Sequence, residues 1–136
     1  MNIVKVIDFT GEGHSNDQNG HGTFVAGMIS STNPDCLGIA PDAEIYILKL
    51  FTGDDITYSS WFIDAFNWVL DNDIDIVNLS TASKDSKDIP FIDKLDELVA
   101  AGIIVVSAVG NDGPTQGSVE NPGDLSTVIG VGSLSA

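Results

Sequence analysis

The run Gly102-Ile103-Ile104-Val105-Val106-Ser107-Ala108 leads directly into Val109-Gly110-Asn111-Asp112-Gly113. It is short, almost continuous in β-branched residues, and closed by turn formers. That pattern reads as a strand covered on both faces of a parallel sheet. Three further runs share the character: EIYILKL (44–50), DIVNLS (75–80) and TVIGVGS (127–133). The N-terminal MNIVKVIDF is strand-like too. Without a basic n-region, a long apolar stretch or a small-residue cleavage site, it does not read as an export signal.

Helical patterns lie between these runs. Phe62, Ala65, Phe66, Val69 and Leu70 recur at helical spacing after Tyr58-Ser59-Ser60, a plausible capping region. Phe91, Ile92, Leu95, Leu98 and Val99 repeat the pattern, and Gly102 follows where a helix end wants a residue free to take positive φ. Thr23 to Ser30 forms a third candidate, short and rich in small residues. Strands alternating with helices predict an α/β fold, a doubly wound, mostly parallel sheet flanked by helices. Loops are expected at 11–20, Thr32-Asn33-Pro34-Asp35, Gly53-Asp54-Asp55, 83–90 and 110–124. At 136 residues the chain is sized for one domain and no second.

Charge narrows the partners. Five Lys and Arg stand against 20 Asp and Glu, a formal net charge of −15, so no basic stripe exists to bind nucleic acid. An acidic surface of this kind is solvated, or attracts basic peptides or calcium. No apolar run approaches the roughly 18 residues of a membrane span. Cys36 is the only cysteine and cannot form an internal disulfide, which leaves the redox compartment open.

In sheets of this type functional groups collect beyond the carboxyl ends of the strands. Three stretches fall there. His21 stands between Gly20 and Gly22 at the start of a helix, where other groups can approach the imidazole and Thr23 can satisfy first-turn donors. A helix N-terminus disfavours the imidazolium and so keeps a histidine able to accept a proton. Asn111, just past a strand, can aim its amide at a developing oxyanion, or simply close a turn with Asp112 and Gly113. The small residues of Asn78-Leu79-Ser80-Thr81-Ala82-Ser83 leave backbone groups open to pairing with an extended peptide.

Taken in order, G-H-G-T-x-V-A-G (20–27), G-I-A-P-x-A (38–43), I-x-x-x-N-L-S (74–80) and S-A-x-G-N-D-G (107–113) resemble the subtilisin-like serine proteases, the subtilases of peptidase family S8. GHGTFVAG, APDAE, SWF-DAFN, SA-GNDGP and VIGVG are most similar to the site-1 protease branch, over a span from about Gly20 to Gly132. The resemblance implies a subtilisin-like fold, incomplete here, with residues 1–136 forming part of a catalytic domain. It implies His21 as general base and Asn111 as the side-chain half of the oxyanion hole. Leu79, Ser80 and Thr81 match a strand beside bound substrate, and Ala108, Val109 and Gly110 match a wall of the pocket for the side chain preceding the scissile bond. A serine endopeptidase acting on peptide or protein substrates through an acyl-enzyme follows, in the lumen of the secretory pathway. No cofactor is implied beyond the calcium that the family allows, and no metal ligands are assigned.

The sequence also departs from the family. Its nucleophile belongs to a G-T-S-x-A block, and no serine here stands in that context. Its aspartate belongs to D-[ST]-G, about thirty residues before the histidine. Asp8-Phe9-Thr10-Gly11 looks like that block with one residue inserted but precedes His21 by only thirteen positions, so Asp8 is expected to be loop sequence. Ala82-Ser83 replaces the family's Gly-Gly pair. The chain is accordingly expected to be inactive alone. The alternative is a non-catalytic subtilase-like module that binds peptides.

Overall fold

The computed structural model describes residues 1–134. Two compact units divide the chain, Met1–Ala65 and a second from Phe66 onward, with the division inside one helix.

In the first unit, β1 (Asn2–Asp8) and β4 (Glu44–Lys49) form a parallel pair, in register from Asn2 opposite Glu44 to Asp8 opposite Lys49, with one irregularity between Ile3 and Lys5. Helix α1 (His21–Ser30) and an antiparallel hairpin of β2 (Thr32–Asn33) and β3 (Cys36–Leu37) connect them. Ala26 and Ser30 are buried one turn apart on α1, whereas Phe24 and Met28 occupy its exposed face. The hairpin corrects the expectation of a plain loop at 32–35. Its four strand residues are all exposed, so no burial pattern announces it.

Helix α2 (Ser59–Leu70) begins at the anticipated Ser59-Ser60. The Phe62 ring meets Phe51 edge-on at 6.1 Å, and Trp61 meets Tyr58 edge-on at 4.9 Å.

The second unit holds a three-stranded parallel sheet ordered β5 (Ile76–Leu79), β6 (Ile104–Ala108), β7 (Ile129–Val131). Between β5 and β6 runs α3 (Ile89–Ala100), the crossover a parallel pair requires. Asp88 caps α3 by accepting a hydrogen bond from the Phe91 amide at 3.3 Å. Gly102 ends it at φ +91°, donating to Val99 at 3.0 Å, while Ile103 donates to Leu98 at 3.1 Å. This is the paired closure in which a left-handed glycine reverses the chain. Leu95 and Leu98 of α3 are fully buried, as are nearly all of Val105 and Phe66, whose ring lies 5.7 Å from Phe91.

Alternation along β5 and β6 buries Val77, Leu79, Val105 and Ser107. The opposite face keeps Ile76, Ile104 and Ile129 about half exposed, and a shallow depression of about 310 Å³ opens beside Ile104 and Ile129. The continuous apolar runs predicted cover on both faces; among the described residues the core lies on one. Mostly parallel sheets flanked by helices are thus the architecture, as expected.

Candidate active site

Beyond the carboxyl end of β1 the chain folds into a polar loop that leads to His21. Asp8 is the last residue of β1 and not loop sequence. Its Oδ1 accepts from the Thr10 amide (2.9 Å) and hydroxyl (2.5 Å), and its Oδ2 from the Gly13 amide (2.9 Å). The Thr10 hydroxyl, above all, holds the carboxyl below its ordinary pKa. Lys49, at the matching end of β4, reaches into the same loop. Its Nζ is 2.6 Å from Glu12 Oε2 and also donates to the Asn16 carbonyl at 3.1 Å. That ammonium, with the Gly53 amide, keeps Glu12 below its ordinary pKa.

His21 is the first residue of α1, and it is exposed. Its amide donates to Asn19 Oδ1 at 3.1 Å, and Asn19 Nδ2 donates to Asp55 at 2.7 Å. Thr23 does not cap the helix as expected. Its hydroxyl instead donates to Asp17 at 2.6 Å, and its amide donates to the same oxygen at 2.9 Å. The other Asp17 oxygen accepts from the amides of Gly20 (2.7 Å) and Asn19 (3.1 Å). These donors, the Thr23 hydroxyl first, lower the Asp17 pKa from 3.8 to about 2. Asp17 was not singled out in the sequence, although an acidic residue just ahead of a helix is a recognisable capping signal.

In the second unit, Leu79 ends β5 with its side chain 6% exposed, so only its backbone can serve a neighbouring chain. Ser80 is exposed and its hydroxyl accepts from Asn78 Nδ2 at 3.0 Å. Thr81 is half-buried. Ser83 and Asn121 then exchange backbone hydrogen bonds of 2.8 and 3.0 Å, joining the segment after β5 to the one that precedes β7.

Ala108 ends β6. The Val109 amide donates to Val131 at 3.1 Å, and the Val109 carbonyl accepts from Glu120 at 3.0 Å. Gly110 follows at φ +91°, with the Glu120 carboxylate so close that a Cβ there would collide with it. Asn111 is exposed, and its carboxamide has no hydrogen-bond partner among the described residues. Next to it Asp112 pairs with Lys84 at 2.5 Å, which raises the Lys84 pKa. An open cavity of about 330 Å³ lies here, lined by Ser83, Lys84, Asp112, Glu120, Asn121 and Asp124.

Among the described residues, no three His, Cys, Asp or Glu side chains gather as a metal site would need. Cys36 is exposed and unpaired to any other cysteine.

Residues 2–136 match the subtilase family, and the chain belongs to it. Among individual proteins, it is 51% identical over 132 residues to Subtilisin-like protease SBT6.1 of Arabidopsis thaliana, covering 97% of this chain and 13% of that protein. It is 48% identical over 133 residues to the human Membrane-bound transcription factor site-1 protease, covering 98% of this chain and 12% of that one. The solved structure of the S41 Psychrophilic Protease superposes with a TM-score of 0.82 at 27% identity, over 92% of this chain and 45% of the other. The chain thus spans a small part of the curated relatives it matches. No helix among the described residues is long and apolar enough to cross a membrane.

Proposed function

We propose that residues 1–136 carry part of the active site of a serine endopeptidase of the site-1 protease type. His21 takes the proton of an attacking serine and returns it to the leaving amine, and Asn111 donates its amide N–H to the oxyanion. The backbone of Leu79, Ser80 and Thr81 pairs with the extended substrate, while Ala108, Val109 and Gly110 wall the pocket for the side chain preceding the cut. The observation that carries this reading is the family match across the chain, with His21 and Asn111 standing in its motifs.

On this reading no serine of residues 1–136 is the nucleophile, so these residues alone do not hydrolyse peptides. Both oxygens of Asp8 are engaged in its own turn, which supports a structural part for it. The resemblance to the site-1 proteases implies substrates that are proteins of the secretory pathway, cut on the lumenal side.

Peptide hydrolysis by the full-length protein tests the assignment. His21→Ala should lower kcat by roughly 10⁶, and Asn111→Ala by roughly 10²–10³, the losses known from subtilisin itself. Wild-type rates in His21→Ala would overturn the reading.

A further inference from the structure

Helix α1 opens on His21, yet the residue at its cap position makes no side-chain hydrogen bond. Gly20 occupies the cap position at φ +90° with no side chain to offer, and the first turn contains no acidic residue. Four amides at a helix start lack intrahelical acceptors and need partners. Asp17 serves two of them from outside the helix, one on each side of His21. One oxygen holds Gly20, the residue before the histidine, at 2.7 Å, and the other holds Thr23, two residues after it, by amide (2.9 Å) and hydroxyl (2.6 Å). Asn19 completes the clasp: its amide donates to Asp17 at 3.1 Å, and its side chain accepts from His21 and is anchored on Asp55.

We propose that Asp17 is a positioning residue for His21, fixing the backbone on either side of the imidazole so that the ring is presented in one orientation. This rests on the proposed role of His21 as general base. A carboxylate is suited to the task because its two oxygens can accept four hydrogen bonds at once, and charge-assisted bonds are the stronger kind. An amide in its place keeps one acceptor and loses the other. Proton transfer depends steeply on position, a displacement of about 1 Å costing up to ~10²-fold in rate. Removing Asp17 therefore acts on the chemical step and spares substrate affinity, because Asp17 belongs to none of the segments assigned to substrate.

The test is steady-state peptide hydrolysis by full-length Asp17→Ala, Asp17→Asn and His21→Ala proteins, with thermal unfolding recorded for each. Asp17→Ala should lose ~10- to 10²-fold in kcat with KM changed by less than about twofold, and Asp17→Asn should fall between it and wild type. Because Asp17→Asn keeps the side chain's shape, it decides the matter if Asp17→Ala does not fold. Wild-type kcat in either folded variant, or parallel loss of kcat, KM and melting temperature, overturns the positioning role. If His21→Ala stays active, the proteolytic reading fails instead, so the two failures are distinguishable.

Discussion

Around His21, residues 8–23 are tied together by charged side chains, with Asp8, Asp17 and Lys49 each gathering several partners from the loop. Around Asn111 the ties are backbone ladders, with Val131, Glu120 and Ser83 bonded through their main chains, in a unit whose core holds Val105 and Leu98. The first arrangement suits an exposed loop that cannot bury enough apolar area to hold itself. The second suits strand ends, where the core already fixes the backbone. Local order can therefore fail in one region and persist in the other, under different stresses.

The largest break in that contrast should come from the core. Leu98 is fully buried, so Leu98→Ala should cost about 2–5 kcal/mol by urea unfolding. On α1 the large side chains Phe24 and Met28 are exposed, so neither offers an equivalent. Next, Gly102→Ala should cost about 1–2 kcal/mol through the left-handed backbone alone, because its Cβ would meet no atom within 4 Å. A similar loss at Gly102→Asn would sink that explanation, as asparagine tolerates this conformation better.

Acid should sharpen the comparison from the other side. The folded pKa of Asp17, about 2, lies below its ordinary 3.8, so its clasp stabilises fully above that value and is lost as pH falls through about 2. Amide exchange at Gly20 and Thr23 should accelerate across this window, before any change at Val105 or Ile104. Simultaneous exposure of both regions would mean that the loop has no local stability of its own.

Much of this was legible beforehand. All four apolar runs are strands and all three helical patterns are helices, because β-branched residues crowd short buried strands and a buried helix face imposes a period of 3.6. Gly102 could be assigned because a helix end between two apolar runs requires a left-handed residue there. Other features leave no periodic trace. Hairpin β2–β3 buries nothing, and Asp17 works through amides three and six residues away, so neither shows in a hydrophobic pattern. A hydroxyl at a helix start has the capacity to cap it, but that of Thr23 lends its proton to the stronger acceptor Asp17. Continuous valine and isoleucine runs report that a strand is apolar, but not whether the described residues supply the second layer.

The double hydrogen bond between Ser83 and Asn121 carries an implication for how such a chain can vary. The segment 84–87 departs from one side of this staple, ahead of the Asp88 cap, and 113–119 returns to the other. Insertions or deletions within either excursion leave the staple and the neighbouring strand termini where they are, so the two rims can be rewritten in length and sequence without disturbing what they frame.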